Sequence, residues 1–471
     1  MVETKEYRRP EPLTENDRPT QKIRCPILGF IHYSANEREI IDHPAFQRLR
    51  RIRQLALTEY VYPGATHSRF SHSLGVMEFA TRAFDSICAK RGATLEKHFH
   101  EYPYFKEKPL DKARQVLRLA ALLHDTGHAP FSHAAESIIQ EDENHESLSV
   151  RIIKHETLTG EFPGVKKILD EYWENETSKI VASLIGGNLE PHLQILRDLI
   201  SGEIDADRMD YLVRDSHHCG VDYGKFDHHR LIECMSVHFD ESEIPQIALE
   251  ESGLQTYEAL LLARYQLNTQ VYFHRIRRIF DNYLRSYFDC LAEDNFFKNA
   301  SDILRQDDIT LLNKIMVDSK NSSSAGHKWA KLIWERKFHK QVFFQGIIEY
   351  TRAKKEDIEK FDKLGDNLKK DFPDVDFITD FAKNEKPIWI HKLRQPSEDI
   401  EDHKEDTPGE KIKLIYSDNK VRDLAERSVI LKYIPKRIKL PRLYAEISDS
   451  SIITYEEISE KAHKLFDPLG V

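Results

Sequence analysis

Apolar residues recur at helical spacing through the first part of the chain. One set, at three-residue steps, consists of Phe46, Leu49, Ile52 and Leu55. A second set follows the turn at Pro63-Gly64 and consists of Leu74, Met77, Phe79 and Phe84. An apolar stripe at such steps is typical of an amphipathic helix. The pattern predicts two helices between Ile40 and Ala89, joined by a loop.

The run ARQVLRLAALL, from Ala113 to Leu123, is the most apolar helical segment and predicts a buried central helix. It leads directly into HDTGHAPFSH, where Gly127 and Pro130 are expected to end the helix. Further helical patterns cover Leu148–Lys154, Lys179–Leu184, Leu193–Ile200, Asp207–Asp215 and Leu254–Cys290. Few long β-branched alternating runs interrupt them, so the first 300 or so residues are predicted to be mainly α-helical.

The carboxy-terminal part has a more mixed pattern. Lys354–Lys370 is charged and helical, whereas Lys411–Ser417 and Val429–Tyr433 alternate like short strands. Acidic residues crowd the segment 398–410, which is predicted to be an exposed loop. The fold class is therefore mainly α with a smaller mixed α/β region. We expect a flexible arm at 1–22, a helical domain at 23–295 and a carboxy-terminal region at 296–471 that serves oligomerisation or acts as a lid.

Composition and charge narrow the function. The 471 residues include 69 Lys and Arg against 79 Asp and Glu, a formal charge of −10, and 40% are hydrophobic. These values favour a globular protein and disfavour binding to extended nucleic acid, so an anionic substrate needs a local basic pocket. Five cysteines without a CxxC pair are typical of a reducing compartment. The chain lacks an apolar run of membrane-spanning length and a signal-peptide pattern, so we expect a cytoplasmic protein without a membrane partner.

Residues with metal-binding side chains recur in three helical contexts. His72 lies in SRFSHSLG, His124 and Asp125 in LLHDTGH, and Asp207 in EIDADRMDY. Two imidazoles and two carboxylates suit Fe, Mn, Zn or Ni better than Ca. An HD dipeptide alone is a weak signal, and any of the 23 histidines could be structural. The joint order of His, His-Asp and Asp is what favours a metal centre.

Four segments together resemble a known family. FQRLRRIRQL, YPGATHSRFSHSLGV, LLHDTGHAPFSH and DADRMDYLVRDSHHCG are similar to motifs of the deoxynucleoside triphosphate (dNTP) triphosphohydrolases of the HD-domain superfamily, over about Lys22 to Phe288. The resemblance implies an HD-domain helical fold at 23–295 and hydrolysis of a dNTP to deoxynucleoside and inorganic triphosphate. It also implies that the four residues above hold the metal ion, which would activate water and neutralise phosphate charge. Mg²⁺ would accompany the nucleotide.

The resemblance also suggests catalytic residues. The leaving 5′-oxygen needs a proton, and histidine is suited to donate one near neutral pH. His133 is the first candidate acid, with Glu136 on the same helical face to orient it, and His145 is the second. His128 and Glu146 would complete the surroundings of the α-phosphate.

Matching positions suggest how the substrate is bound. Arginines would pair with the triphosphate, and they are Arg69, Arg208 and Arg264. Tyr211 would stack on the sugar and block a 2′-hydroxyl, while Gln54 and Asp215 would bind the 3′-hydroxyl. Tyr272 matches an aromatic residue of the base pocket. Arg208 stands where the family member compared has lysine, and Asn268 replaces a family histidine, so base preference is not transferred.

A second nucleotide site is suggested by IIDHPAFQRLRRIRQL. Asp42, Gln47 and Arg50 match residues that read a guanine of an activating nucleotide at subunit interfaces in the regulated branch of the family, and this implies a homo-oligomer, a tetramer or a dimer. A carboxylate and a guanidinium suit the edge of guanine. Alternatively, Asp42 could cap the helix that begins near Pro44, and Arg48 or Arg50 could be surface charges.

The sequence thus predicts a metal-dependent dNTP triphosphohydrolase that serves dNTP-pool control or antiviral defence, and activation by a nucleotide is an additional hypothesis. Two alternatives stay open. One is another HD phosphohydrolase, such as a nucleotidase or phosphodiesterase. The other is a nucleotide-sensing module without turnover.

Overall fold

The computed structural model describes residues 11–132, 144–158, 162–186, 189–240, 243–293, 296, 300–346, 348–349, 355–383, 412–418, 420–435, 438–447 and 454–466. Its helices are α1 Ala35–Ile41, α2 Pro44–Gln47, α3 Arg69–His100, α4 Pro109–Leu123, α5 His145–Lys154, α6 Lys166–Tyr172, α7 Thr177–Gly186, α8 Gln194–Ser201, α9 Ala206–Cys219, α10 His228–Cys234, α11 Leu254–Leu267, α12 Arg275–Glu293, α13 Ala300–Arg305, α14 Asp308–Asp318, α15 His327–Trp334, α16 Lys355–Asp362, α17 Leu364–Asp371, α18 Leu424–Arg427 and α19 Tyr455–Phe466. Its strands are β1 Gln21–Cys25, β2 Gly29–Tyr33, β3 Thr157–Leu158, β4 Phe162–Pro163, β5 Met235–Phe239, β6 Pro245–Glu250, β7 Lys340–Phe344, β8 Ile348–Glu349, β9 Phe377–Lys383, β10 Lys413–Ile415, β11 Val421–Asp423 and β12 Ile438–Ala445. The predicted mainly α fold with a smaller mixed α/β region is confirmed.

Helices α3 and α4 pack together in one large core. Every residue of α4 except Arg114 is buried, which confirms the predicted central helix. Pro109 occupies the first position of α4, where a missing N–H group breaks no helical hydrogen bond. Because α4 is enclosed on nearly all sides, the turn that follows it is carried on a rigid support.

The predicted helix around Phe46 is wrong in part. His43 has an extended backbone before Pro44, so α1 ends and only the four residues of α2 follow before a 3-10 turn at Arg48–Arg51. Ile52 is extended again, and Arg53 forms an isolated bridge with Ser68. The second predicted helix is confirmed as α3, although it contains a kink at residue 91.

The long helical pattern of Leu254–Cys290 is divided in two. Helix α11 passes into one π-helical turn at Asn268–Tyr272, and α12 begins three residues later. π-helical turns are rare and frequent at functional sites, because the extra residue shifts the side chains that follow. The apolar spacing alone gave no sign of this break.

Two sheets involve the carboxy-terminal region. In the first, β5 and β6 form an antiparallel pair, and β10 adds to β6 in parallel, with β11 beside it. In the second, β12 is central, with β9 along one edge and β7 and β8 along the other. Helices α16, α17 and α19 supply apolar residues to a second, smaller core around this sheet.

The carboxy-terminal predictions have mixed outcomes. The strand at Lys411–Ser417 is confirmed over the residues of β10, whereas Val429–Tyr433 contains a 3-10 turn at Ile430–Lys432 instead of a strand. Lys354–Lys370 is helical but divided between α16 and α17. The acidic segment 398–410 lies outside the described residues. None of the helices in the described part combines the length and apolar character needed to cross a bilayer.

Candidate metal centre and active site

His72 lies on the first turn of α3 and is buried. Its Nδ1 is hydrogen-bonded to Asp210 Oδ2 at 2.8 Å, and its Nε2 lies 3.1 Å from Asp207 Oδ1. Arg214 holds Asp210 in turn, since its Nε and Nη2 both donate to that carboxylate at 2.7 Å. Gly75 permits this approach, because a Cβ there would lie 1.9 Å from Asp210 Oδ1. The imidazole is therefore fixed with Nε2 turned towards Asp207.

His124 directly follows α4, and Asp125 is the next residue of the turn. His124 Nδ1 lies 2.8 Å from the carbonyl oxygen of Ala121, which orients the ring. Ser149 of α5 holds the turn: its Oγ accepts from Gly127 N–H at 2.9 Å and donates to the His124 carbonyl at 2.7 Å. A Cβ at Gly127 would lie 2.4 Å from the Ser149 nitrogen, so glycine is required for this contact.

The fold brings the four predicted ligands together. The ligand atoms of His72, His124 and Asp207 all lie within 4.8 Å of one another. Asp125 Oδ2 is 3.7 Å from His72 Nε2, and its Oδ1 is 3.3 Å from His124 Nε2. His124 Nε2 is buried and makes no hydrogen bond among the described residues. Two imidazoles and two carboxylates around a buried ring nitrogen of this kind fit a divalent transition-metal ion.

The electrostatics of this group also fit a cation. Burial opposes the charged form of His72, but hydrogen bonds to Asp207 and Asp210 outweigh it and raise the pKa of His72 to about 10. Burial likewise opposes ionisation of Asp207, yet the hydrogen bond to His72 holds the pKa of this carboxyl well below its usual range. The carboxylates thus create a strongly negative potential, which favours a proton or a metal cation at the same place.

Arg69 supports Asp125 from the other side. Its Nη1 donates to Asp125 Oδ2 at 2.5 Å, and its Nε donates to Ser132 Oγ at 2.9 Å. Burial would raise the pKa of Asp125, but the charge of Arg69 and the nearby His124 and His128 hold it well below its usual range. The carboxylate of Asp125 is therefore ionised, and the arginine predicted to bind phosphate contacts it directly.

His128 adjoins the same group. Its Nε2 lies 3.3 Å from Asp125 Oδ1, and its ring stacks on that of His145 with centroids 4.0 Å apart. Burial and the charges of Arg69 and His145 hold the pKa of His128 well below its usual range, so the ring is neutral at neutral pH. His145 begins α5, and Glu146 follows it. Two further predicted catalytic residues lie outside the described part of the chain: His133 and Glu136.

One face of α9 carries three of the predicted site residues. Asp207, Tyr211 and Asp215 follow at four-residue steps, so they lie on one face over about 12 Å. The rings of Tyr211 and Tyr272 have centroids 6.3 Å apart. Tyr272 Oη donates to Asp215 Oδ2 at 2.6 Å, and His67 Nε2 lies 2.7 Å from Asp215 Oδ1. The face carries a predicted metal ligand, an aromatic ring and a fixed carboxylate in that order.

The other two predicted phosphate-binding arginines are buried. Arg208 Nη1 donates to the carbonyl of Glu203 at 2.8 Å and to its carboxylate at 3.1 Å, and Asp205 Oδ2 lies 3.6 Å from Arg208 Nε. Arg264 lies on α11. Burial raises the pKa of Tyr211, and the charges of Arg264 and Arg208 partly offset that rise, so both guanidinium groups act on this ring.

The residues predicted to bind an activating nucleotide lie at the end of α1 and in the turns after it. Arg50 Nε donates to Gln47 Oε1 at 2.8 Å, and its guanidinium lies 3.5 Å from the centre of the Phe70 ring. Asp42 is exposed and accepts from Arg38 Nε at 2.9 Å. Gln47 and Arg50 are thus in direct contact, whereas Asp42 pairs with a different arginine.

Among the structural alternatives for this segment, a cap from Asp42 and a surface position for Arg48 are wrong, whereas Arg50 is exposed, as a surface charge would be. The side chain of His43, and not that of Asp42, caps α2 by accepting from the backbone of Ala45. Arg48 is buried and is not a surface charge, since it donates to the carbonyls of His128 at 2.8 Å and Gln306 at 2.9 Å. Burial lowers the pKa of Arg48 to about 10. Arg48 therefore joins this segment to the turn beside the metal ligands.

Several residues of the site were not predicted. Asp210 and Arg214 lie three and seven positions after Asp207, a spacing that places them on the same side of a helix and could have revealed them. His67 stands in the segment before α3, where no periodic pattern exists.

Gln54 was predicted to bind the 3′-hydroxyl, and its Oε1 is buried without a hydrogen bond among the described residues.

Asp308 was also missed, although it supports the turn after the HD dipeptide. Its Oδ1 accepts from the backbone N–H of Phe131 and its Oδ2 from that of Arg53, both at 2.8 Å. Phe131 and Ser132 have φ values of 55° and 57°, in the left-handed region. Burial raises the pKa of Asp308 to about 6. No sequence signal links it to a turn more than 170 positions away.

Comparison with known proteins gives two family matches. The HD domain matches residues 69–215, and the HD associated region matches residues 226–367. The first interval begins at Arg69 and ends at Asp215, so it contains all four predicted metal ligands. The second contains Arg264, Tyr272 and Asp308.

Individual proteins are also similar to this chain. The uncharacterized protein MJ1154 of Methanocaldococcus jannaschii is 30% identical over 94% of both chains. The deoxynucleoside triphosphate triphosphohydrolase SAMHD1 of Homo sapiens is 29% identical over 59% of this chain and 45% of its own length, so the match spans less than half of that protein. A solved structure of a hypothetical protein from Aquifex aeolicus has a TM-score of 0.68 at 28% identity and covers 94% of this chain and 99% of its own.

Proposed function

Because the chain belongs to the HD domain family, we propose that it is a metal-dependent hydrolase that converts a dNTP to a deoxynucleoside and inorganic triphosphate. The SAMHD1 proteins, named as dNTP triphosphohydrolases, support this choice of substrate. Another HD phosphohydrolase activity is the competing outcome, and the products distinguish the two.

The observation that carries the proposal is the order of groups along α9. Asp207 lies among the proposed metal ligands, Tyr211 one turn further and Asp215 one turn beyond that. About 12 Å separates the first from the last along the helix. This order corresponds to the α-phosphate, the sugar ring and the 3′-hydroxyl of a nucleotide.

At the phosphate end, His72, His124, Asp125 and Asp207 would hold the metal ion. When bound there, Fe, Mn, Zn or Ni supplies Lewis-acid stabilisation of phosphate charge and an activated water. Arg69 fixes Asp125 and would offer its remaining N–H groups to the triphosphate, and Arg208 and Arg264 add positive charge near Tyr211. Mg²⁺ is proposed to accompany the nucleotide.

His145 is the proposed proton donor that the described structure supports best. The low pKa of its neighbour His128 leaves that ring without a second proton at neutral pH. His145 stands at the amino end of α5 and stacks on His128. His133, with Glu136 to orient it, stays the alternative donor, and Glu146 is proposed to assist His145.

At the sugar end, the protein is proposed to select a deoxyribose. Asp215 is held by Tyr272 and His67, so its carboxylate cannot turn away from a 3′-hydroxyl. The Oε1 of Gln54, which makes no hydrogen bond within the described part of the chain, offers a further acceptor. Tyr211 would pack against the ring where a ribonucleotide carries its 2′-hydroxyl.

We also propose that a nucleotide bound at Asp42, Gln47 and Arg50 activates a homo-oligomeric form. The contact between Arg48 and the carbonyl of His128 supports this, because it joins that segment to the turn of the metal ligands. Cytoplasmic location and control of the dNTP pool, or antiviral defence, complete the proposal.

The test incubates the purified protein with each dNTP, singly and mixed, in Mg²⁺ or Mn²⁺, and separates the products by chromatography. Deoxynucleoside plus triphosphate is expected, and faster turnover in mixtures would support activation. Deoxynucleoside monophosphate or pyrophosphate would contradict the reaction and favour another phosphohydrolase activity. Asp207→Ala should lower turnover by at least about two orders of magnitude, while the exposed control Asp222→Ala should not.

A further inference from the structure

A second group of potential metal ligands lies at one edge of the carboxy-terminal sheet. His339 precedes β7, Asp376 precedes β9 and Glu446 follows β12. These strand ends are neighbours, since Ala445 of β12 pairs with both Lys340 of β7 and the first residue of β9. One ligand atom from each of the three side chains lies within 4.8 Å of the other two.

His339 presents a fixed ring to the two carboxylates. It is 2% exposed, and its Nε2 is buried without a hydrogen bond among the described residues. Its Nδ1 lies 2.5 Å from Tyr283 Oη, and its backbone N–H donates to the same oxygen at 2.8 Å. A buried ring nitrogen that has no hydrogen bond among the described residues is costly, which points to a ligand.

The spacing of the first two ligands suits a metal ion better than a hydrogen bond. His339 Nε2 lies 3.5 Å from Asp376 Oδ2, beyond the usual range of an N–H···O bond. Ligand atoms around a tetrahedral zinc ion, with bonds of about 2.0–2.2 Å, are roughly 3.4 Å apart. The backbone N–H of Glu446 donates to the carbonyl of Asp376 at 2.9 Å, which keeps the third ligand beside the other two.

A positively charged side chain of the protein already lies beside Asp376. Lys328 of α15 places Nζ 2.6 Å from Asp376 Oδ2. Its side chain is 52% exposed, so it can turn into solvent when another cation binds the carboxylate. A metal ion at this site must therefore compete with the Lys328 ammonium group.

We propose that His339, Asp376 and Glu446 form a second metal site, for a divalent ion with nitrogen and oxygen ligands of which Zn²⁺ is the best match. The ion would fasten the ends of β7, β9 and β12 together and, through Tyr283, attach this edge of the sheet to α12. The site stands apart from the proposed hydrolysis and does not depend on it.

Zinc content per chain is the first test. Each protein is equilibrated with Zn²⁺, freed of excess metal on a desalting column and analysed by mass spectrometry of the metal. The expected values are two zinc ions for the wild type, one each for Asp207→Ala and His339→Ala, and none for the double variant. The exposed control His100→Ala should keep two.

Zinc affinity by calorimetry is the second test, and it avoids the buried histidine. In the Asp207→Ala protein, the exposed substitution Glu446→Gln should weaken binding at least about tenfold, because it removes a charged ligand. Lys328→Met should strengthen binding about tenfold, since it removes the competing cation. If zinc content and affinity do not respond to His339, Glu446 or Lys328, the cluster is an ion-pair network only and the proposal fails.

Discussion

Asp210 determines how His72 faces the other ligands. Its carboxylate joins the imidazole to Arg214, and all three side chains are buried. A carboxylate hydrogen-bonded to a ligand histidine fixes the ring and makes it a stronger electron donor. The role of Asp210 should therefore appear in metal affinity, although the residue is not itself a proposed ligand.

Asp210→Asn is expected to weaken binding of Mn²⁺ or Zn²⁺ at the HD centre about 10- to 100-fold, because the amide is a poorer acceptor for the His72 N–H. Calorimetric titration in the His339→Ala background measures this centre alone. The exposed substitution Asp222→Asn is the matched control. Equal affinity in Asp210→Asn and its parent would contradict the role given to Asp210.

At this scale, sequence reasoning identified residues that lie close together in the fold where each of them stands in a short motif. His72, His124, Asp125 and Asp207 each occupy a recognisable context, and the fold brings them within reach of one ion. Asp308 could not be found this way, because its two hydrogen bonds reach Arg53 and Phe131 from a distant part of the chain. Such contacts depend on tertiary packing, which a local pattern does not encode.

Helix α3 owes its position beside α9 to a glycine. A Cβ at Gly75 would meet Asp210 Oδ1 at 1.9 Å and Arg214 Nη2 at 2.4 Å. Because those two side chains form a buried ion pair, neither can move without losing its partner. The contact makes the spacing of the two helices sensitive to a single methyl group.

Gly75→Ala is expected to lower the free energy of unfolding by about 2–4 kcal/mol, since overpacking and a disturbed ion pair add together. Gly92→Ala is a matched control on the same helix, because its Cβ would make an ordinary contact at 3.7 Å with Leu110. That substitution should be neutral or stabilising. Urea denaturation followed by circular dichroism measures both, and equal effects would contradict the packing argument.

Asp308, the first residue of α14, makes the stability of the folded protein depend on pH. Burial raises the pKa of this carboxyl to about 6, above its value of about 3.9 in an unfolded chain. Between these values the folded protein binds the proton more tightly, so this group stabilises the fold at low pH and its contribution falls as pH rises through about 6.

Asp308→Asn should therefore remove a fall in stability between about pH 4 and pH 6 that the wild type shows. At every pH it should also cost about 1–3 kcal/mol, because one backbone N–H loses its acceptor. Denaturation midpoints at several pH values measure the difference between the two proteins. The charges that act on Asp308 include Arg48 and Arg53, and both are retained in the two proteins. A constant difference across this range would refute the assignment.

Helix boundaries were predictable where apolar spacing was continuous, as in α4, but not where the backbone changes within a continuous stripe. The π-helical turn at Asn268–Tyr272 keeps the apolar pattern while it shifts Tyr272 towards Asp215. Likewise, Phe46 and Leu49 are both buried, but Phe46 lies in the four-residue α2 and Leu49 in the 3-10 turn that follows, although their spacing is that of one continuous helix. Periodicity reports which side chains are buried, and not which backbone hydrogen bonds are made.

At the scale of the whole molecule, a buried ion pair attaches the carboxy-terminal sheet to the helical part. Arg278 of α12 donates through Nη2 to Asp380 Oδ1 at 2.6 Å and through Nε to Oδ2 at 3.1 Å. Asp380 is 3% exposed and also accepts from Asn282 at 3.0 Å. Asp281 lies farther from Arg278, with 3.7 Å between Oδ2 and Nη1, so Asp380 is the nearer of the two acidic partners.

Asp380→Ala is expected to lower the free energy of unfolding by about 3–5 kcal/mol, because it removes the hydrogen-bonded partner of the buried Arg278 and leaves only the more distant Asp281. Asp371→Ala removes a half-exposed pair with Lys461 and should cost less than about 1 kcal/mol. Guanidinium denaturation with fluorescence detection compares the two. Similar losses would mean that the pair does not join the two parts in the way described.

The parallel pairing of β10 with β6 affects how the chain is made as well as how it is held. Ala248 lies opposite Lys413, so 165 residues separate the paired positions. At a synthesis rate of about 5–20 residues per second, the edge of β6 waits roughly 8–33 s for its partner strand to be translated. During that interval an unpaired strand edge is open to a neighbouring nascent chain on the same messenger RNA. Binding of chaperones to the nascent chain should therefore be greatest after β6 emerges from the ribosome and should end when β10 emerges.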